Sequence, residues 1–324
     1  MKKFKVLVKV DGLKHEHRKI IVHNLGDIAE IYFNEKNAPL EEVDALMVFH
    51  WKGVISEVLL DKLKNLKVVQ AITAGIDHIP EYIQEEKGIE IHGAQGANSK
   101  YIAEHVFAFM LAAVKRICFH TQEMRNHRFR QDLYHGTLYE KKLALLGFGT
   151  IGQEVAKIAK HFDMEISVFK RWKLLDEEWN AVVKFVATDR DELHKILKHA
   201  DFIVVALPLT RETRNLLSKE EFAVMKKKAV LVNVSRGKVI DEEALYNHLK
   251  ENPEFVACLD TWWKYPKEEE EFRQDYPFEE LPNVLMTPHI AAKIHGFFEN
   301  MILTASKKLR EYFWEVEHGG SQKS

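Results

Sequence analysis

The sequence predicts an α/β protein built from parallel sheets, and three observations carry that expectation. Residues 142–152, KLALLGFGTIG, run an apolar stretch straight into Gly147, Gly149 and Gly152, and an apolar helical pattern (Val155, Ile158, Ala159, Phe162) follows, so strand, tight turn and helix come in succession. Short apolar runs alternate with helical patterns on both sides of this stretch, as they do where strands lie parallel with helices on both faces. The chain has 324 residues, which suggests about two domains.

Each glycine of the central stretch has a physical task. Gly147 makes the turn, Gly149 lets a pyrophosphate approach the backbone, and Gly152 lets the helix pack close to the strand. The helix N-terminus then offers unpaired N–H groups and a partial positive charge to a diphosphate. A G-x-G-x-x-G alone can be a ligand-free turn. Set between a strand and a helix, it predicts a Rossmann-type, doubly wound dinucleotide domain.

Before that stretch, FKVLVKV, ALMVF, KVVQAIT and IEIHG read as strands, with SEVLLDKLKNL and PEYIQEEKG as helices between them, giving a small α/β domain over residues 1 to about 98. Residues 99 to about 120 read as one buried helix. The following FHTQEMRNHRFRQDLYHGTLYEKK loses periodicity and reads as an extended arm. Beyond the fingerprint helix come the strand 165–169, the pair Lys170 and Arg171, the helix 192–199, the strand DFIVVALP, the helix 219–225, the strand AVLVNVS, the helix DEEALYNHLKEN and the strands FVACLD and VLMTPH. Ligands bind at the carboxyl ends of such strands, here marked by Lys170, Pro208, Ser235 with Arg236, Asp260 and His289. A charged, aromatic loop spans 262–281, an amphipathic helix follows within 295–318, and the tail GGSQKS is expected to be disordered.

Composition narrows the partners. A net charge of -2 gives no electrostatic case for nucleic acid or an anionic membrane surface, which leaves a small metabolite. The start MKKFKVLVKVDG is too polar and too short for a signal peptide, so the mature protein is expected to begin at Met1. The most apolar segment, 101–114, is about fourteen residues where a membrane helix needs roughly twenty. Cys118 and Cys258, both in apolar contexts, fit free thiols in a cytoplasmic protein, and no metal-ligand spacing is present.

At this point the sequence resembles the D-isomer-specific 2-hydroxyacid dehydrogenases over almost its whole length. The motifs are TAGIDHI (73–79), GANSKYIAEHV (96–106), LGFGTIG (146–152), ALPLTRETRNLL (206–217), LVNVSRGKVIDEEAL (231–245), CLD (258–260) and TPHIAA (287–292). The resemblance implies a flavodoxin-like α/β substrate domain made of residues 1–98 with 297–324 returning to it, around a dinucleotide domain of 99–296, and a homodimer built largely through that domain and its arm. By the same resemblance, Arg236 binds a substrate carboxylate, a task suited to its planar, always charged fork. His289 gives a proton to the carbonyl oxygen, as a group titrating near neutrality can. Gly147, Gly149, Thr150, Ile151, Gly152, Lys170, Arg171, Leu207, Pro208, Thr213, Val234, Ser235 and Asp260 match cofactor positions, Asp260 facing the nicotinamide carboxamide. Ala74 and Gly75 offer backbone N–H groups to the substrate, and one of His50, Trp51 and Lys52 is expected to touch it. Asn98 matches a position near substrate, though it could equally be a helix N-cap.

Two departures from the family pattern matter. Many members have an acidic residue after the second strand, whereas Lys170 and Arg171 stand here; a basic pair favours the 2′-phosphate of NADP, with NAD as the alternative. Most members also pair the histidine with a glutamate, but Tyr265 takes that place in DTWWKYP. Tyr265 either accepts the histidine's second N–H or packs in the loop while an acid such as Glu268 reaches the ring. The reaction expected is NADPH-dependent reduction of a small 2-oxoacid, of the glyoxylate or hydroxypyruvate type, to the D-2-hydroxyacid. D-lactate or D-3-phosphoglycerate dehydrogenase is the alternative within the family, and a nucleotide-sensing protein of corepressor type the alternative outside it.

Overall fold

The computed structural model describes residues 3–173, 176–267 and 270–319. The chain divides into two compact units, 1–98 with 294–324, and 99–293. The first unit begins with strand β1 (Phe4–Lys9), helix α1 (His15–Leu25), strands β2 (Ala29–Tyr32) and β3 (Ala45–Val48), helix α2 (Glu57–Lys62), strand β4 (Val68–Ala71), helix α3 (Tyr82–Glu85) and strand β5 (Glu90–His92). The strands form one parallel sheet in the order β2-β1-β3-β4-β5, the flavodoxin-like arrangement. β3 and β4 are buried at every position because helices cover both faces. A helix of Phe297–Glu317 returns to this sheet, burying Met301, Ile302, Ala305, Leu309 and Phe313 among Val6, Val8, Ile21 and Leu25.

The second unit opens with helices α4 (Ser99–Val114) and α5 (Ile117–Arg125). It continues through β6 (Lys142–Leu146), α6 (Thr150–Lys160), β7 (Glu165–Phe169), α7 (Glu177–Asn180), β8 (Val183–Ala187), α8 (Arg190–His199), β9 (Phe202–Val205), α9 (Lys219–Val224), β10 (Val230–Asn233), α10 (Glu242–Glu251), β11 (Val256–Leu259) and β12 (Val284–Met286). The long helix at Phe297–Glu317 is therefore α11. The seven strands are parallel, in the order β12-β11-β10-β9-β6-β7-β8, so the order reverses between β6 and β9. That is the doubly wound fold the glycine stretch predicted. Caps set several helix starts: Asp189 accepts the Glu192 N–H at 2.8 Å and Asp241 accepts the Ala244 N–H at 2.8 Å.

Some local expectations need correction. The helix expected over 99–120 ends at Val114, because Arg116 turns left-handed at φ 52°, and a second helix runs to Arg125 through what read as arm. α1, β2, α7 and β8 lie in stretches where no regular element was read. Cys118 is exposed on α5 rather than in an apolar context, while Cys258 is buried, its thiol pKa pushed up by burial. Most of the GGSQKS tail lies outside the described residues. No helix among the described residues is long and apolar enough to cross a membrane.

Candidate active site

At the switch point, each glycine sits where its task requires. A Cβ on Gly147 (φ 101°) would lie 2.5 Å from the carbonyl oxygen of Ala206, at the end of β9, and one on Gly152 would lie 2.3 Å from the carbonyl oxygen of Gly147. Neither position admits a side chain. A Cβ on Gly149 would meet nothing within 4 Å, so that glycine borders open space in front of α6. The α6 N-terminus has no side-chain cap, which leaves the N–H groups of Thr150 and Ile151 directed at that space. The Ser99 hydroxyl fixes Thr150 by donating to its Oγ1 at 2.9 Å. These residues fit a dinucleotide diphosphate, whose negative charge needs just such uncapped donors.

The neighbouring strand ends supply the rest of this rim. Lys170 follows β7 with its N–H held by the Ala187 carbonyl, and it is half-buried beside exposed Arg171. In the loop after β9, which includes Leu207, Thr213 donates to the Pro208 carbonyl at 2.6 Å and accepts from the Thr210 N–H at 2.8 Å, closing a tight turn. Glu212 in that turn has its carboxyl pKa lowered, chiefly by the Thr210 hydroxyl, with Arg171 and Arg211 both contributing, so the two guanidinium groups share one neighbourhood. Arg211 was not among the residues expected from sequence.

The loops after β10, β11 and β12 meet at Trp262. Asn233 is fully buried and accepts from both the N–H and the hydroxyl of Ser235, while its amide donates to the Arg236 carbonyl at 3.1 Å. This clamps the turn through Val234 and Ser235 and sets the direction of Arg236, whose Nη1 donates to the Ser235 carbonyl at 2.9 Å. Gly237 lets the turn press on Trp262, since a Cβ there would lie 2.3 Å from the Trp262 carbonyl carbon. Trp262 in turn donates its indole N–H to the Thr287 carbonyl at 3.0 Å, and its backbone N–H to the Tyr265 hydroxyl at 3.2 Å. The Tyr265 ring lies 5.6 Å from the imidazole of His289, inclined by 40°. One buried tryptophan, through its backbone on one side and its indole on the other, thus ties together the loops that carry Arg236 and His289. Glu268, the other candidate for reaching the ring, lies outside the described residues.

His289 is exposed and left-handed at φ 56°, a conformation that a non-glycine residue adopts only when its surroundings hold it. The holding group is Asp260, at the end of β11. Its buried carboxylate accepts from the Thr287 hydroxyl at 2.6 Å, the Ile290 N–H at 2.8 Å and the Ala291 N–H at 3.0 Å. Asp260 therefore braces the histidine turn, a task its expected cofactor role did not include.

In the other unit, His50, Trp51 and Lys52 follow β3, and Ala74 and Gly75 follow β4. Trp51 is a core residue packed with Ile55 and Leu59, whereas His50 and Lys52 are exposed. The Gly75 carbonyl accepts the Thr73 hydroxyl at 2.7 Å. Among the described residues, the N–H groups of Ala74 and Gly75 make no backbone hydrogen bond. Asn98 is buried with an amide oxygen that makes no hydrogen bond, so it does not cap α4. An unsatisfied buried amide is costly in a core and common at a ligand site.

Two parallel-sheet α/β units, one with a glycine turn and an uncapped helix at its switch point, define a dinucleotide-dependent enzyme scaffold. Residues 107–291 match the D-isomer specific 2-hydroxyacid dehydrogenase NAD binding domain, and residues 9–135 match the catalytic domain of the same family. The chain belongs to the D-isomer-specific 2-hydroxyacid dehydrogenases, a family of NAD(P)-dependent oxidoreductases. It is 35% identical to D-3-phosphoglycerate dehydrogenase of Methanocaldococcus jannaschii over 89% of its own length but only 53% of that protein's. It is also 35% identical to hydroxypyruvate reductase of Thermotoga maritima, covering 78% of this chain and 79% of the other. Identity to the glyoxylate reductase of Pyrococcus horikoshii is 32%, covering 86% and 85%. Among solved structures, a glyoxylate reductase from Paecilomyes thermophila shares the fold with a TM-score of 0.76 at 24% identity, covering 98% of this chain and 97% of its own.

Proposed function

We propose that this chain reduces a small 2-oxoacid of the glyoxylate or hydroxypyruvate type to the D-2-hydroxyacid, with NADPH as the preferred reductant. The observation that carries this reading is the bracing of Arg236 and His289, at the ends of the two strands that flank β11, against one buried tryptophan. Arg236 supplies a fixed cation for the substrate carboxylate. His289, exposed at its turn, supplies the proton for the carbonyl oxygen, and Tyr265 restricts the tilt of its ring. When bound, the nicotinamide supplies the hydride. Gly149, Thr150 and Ile151 hold the diphosphate, with Leu207, Pro208, Thr213, Val234 and Ser235 lining the cofactor beside it. In the smaller unit, the N–H pair of Ala74 and Gly75 and the unsatisfied Asn98 amide suit a carboxylate and its neighbouring oxygen.

The preference for NADPH rests on Lys170, Arg171 and Arg211, which place positive charge where a 2′-phosphate needs it and where NAD-binding relatives of this fold place an acid. The arm carries the expectation of a homodimer, since Phe129, Tyr134 and Tyr139 are exposed there, Tyr134 completely. A second copy covering them would remove apolar area from water. The test is an assay of purified protein with NADPH and with NADH against glyoxylate, hydroxypyruvate, pyruvate and 3-phosphohydroxypyruvate. A higher kcat/KM with NADPH on one of the first two supports the reading. Equal or better turnover with NADH overturns the cofactor preference. Best turnover on the phosphorylated acid or on pyruvate moves the substrate to the alternatives, and none with any of them overturns the reductase.

A further inference from the structure

His105 lies on α4 among apolar neighbours and is not one of the residues proposed to bind substrate or cofactor. Its Nε2 stands 3.3 Å from the Thr287 hydroxyl and 3.9 Å from Asp260 Oδ1, and its ring meets Phe109 edge-on at 4.5 Å. The hydroxyl has one proton, and at 2.6 Å that proton goes to the Asp260 carboxylate. Toward His105 the hydroxyl can only accept. His105 must therefore carry its proton on Nε2, and the hydrogen bonds run in one direction, from His105 through Thr287 to Asp260. The chain ends on the carboxylate that also accepts the N–H groups of Ile290 and Ala291.

The contacts of this chain fall on both sides of His289: Thr287 precedes it by two residues, and Ile290 and Ala291 follow it. Between them His289 is held left-handed at φ 56°. From this arrangement, and resting on the role given above to His289, we propose that His105 is a positioning residue. It fixes the Thr287 hydroxyl, and through it the Asp260 carboxylate, so that the turn presents the His289 imidazole in one direction. Burial lowers the His105 pKa, which keeps the ring neutral and leaves Nδ1 without a proton, in agreement with the tautomer deduced from the hydroxyl. Helix α4 and the strand-end turn are thereby coupled by polar contacts inside an otherwise apolar packing.

The test compares His105→Leu with His105→Gln, whose amide places an N–H donor close to the position of Nε2. Hydrogen exchange of the Ile290 and Ala291 amides is measured first, because it needs no substrate, and then kcat and KM with NADPH and glyoxylate. In His105→Leu, exchange at both amides should speed up about tenfold, the effect of losing roughly one hydrogen bond. In the same variant kcat should fall about tenfold while the KM values stay within about twofold. His105→Gln should restore both readouts. Unchanged exchange, unchanged kcat, or equal losses in the two variants would overturn the proposal, the last because packing alone would then explain them. If His105→Leu does not fold, Thr287→Val against Thr287→Ser decides by the same criteria. If the wild type reduces no 2-oxoacid, the reductase reading fails by itself, and the exchange comparison still decides whether His105 holds the turn.

Discussion

Arg236 and His289, the residues proposed to bind the substrate carboxylate and to supply the proton, could be picked out in the sequence because each follows an apolar strand in a fixed motif. Asp260 and His105 were harder to read. Their work consists of hydrogen bonds to Thr287, Ile290 and Ala291, and these exist only once β11, β12 and α4 have packed. If Arg236 holds the substrate carboxylate, Arg236→Gln should lower kcat/KM a hundredfold or more, since losing a charged partner costs on the order of 2–5 kcal/mol. Cofactor affinity should stay nearly intact, and a variant with near-normal kcat/KM would place the carboxylate elsewhere. Tyr265 lies against His289 and brings no negative charge. Tyr265→Glu should therefore raise the histidine pKa by roughly one unit or more. If His289 is the proton donor, reduction requires the protonated ring, so the basic limb of the kcat/KM profile should move to higher pH. A limb that stays in place would remove Tyr265 from the mechanism.

At the scale of elements, the apolar strands and the amphipathic α11 announced themselves by their apolar patterns, while α1 and β8 did not. His15–Leu25 mixes charges through its apolar positions, and Val183–Ala187 is an edge strand with two exposed residues, so neither shows a clean repeat. The glycine turn makes a sharp prediction. Gly149→Ala places a methyl in open space and should leave the melting temperature nearly unchanged while weakening NADPH binding. Gly152→Ala forces a methyl onto the Gly147 carbonyl and should lower both; equal melting temperatures for the two variants would contradict this account. The start of α9 carries a pH dependence of its own. Burial acts to raise the Glu221 pKa, but hydrogen bonds from Arg190, His194 and Ser218 outweigh it and hold the carboxyl at about 2. A depressed acid contributes stability above its ordinary value of 4.5, and the contribution is lost as pH falls from there toward 2. Glu221→Gln should accordingly be less stable than wild type near neutral pH, with the difference shrinking in urea titrations as pH is lowered through that window. A constant difference would mean that the carboxylate's charge is not what stabilises this helix start.

At the scale of the whole molecule, the parallel character of the two sheets followed from the alternation of strands and helices, because parallel strands need crossovers and crossovers need helices, whereas the strand orders emerged only from the structure. The substrate was less legible, since a small acid leaves few side chains to mark its pocket, and an exposed arm does not by itself announce a dimer surface. If the arm is the dimer surface, Phe129→Asp with Tyr134→Asp should halve the mass seen by light scattering, and a wild type that is already monomeric would dismiss it. If the proposed function holds, this chain moves a hydride from NADPH to C2 of a 2-oxoacid and leaves a D-configured alcohol. The decisive measurement uses NADPH carrying deuterium at both C4 positions of the nicotinamide ring and unlabelled hydroxypyruvate in ordinary water, the product being read by mass and by chiral chromatography. The account predicts D-glycerate carrying one deuterium at C2; L-glycerate, or product without the label, would contradict it.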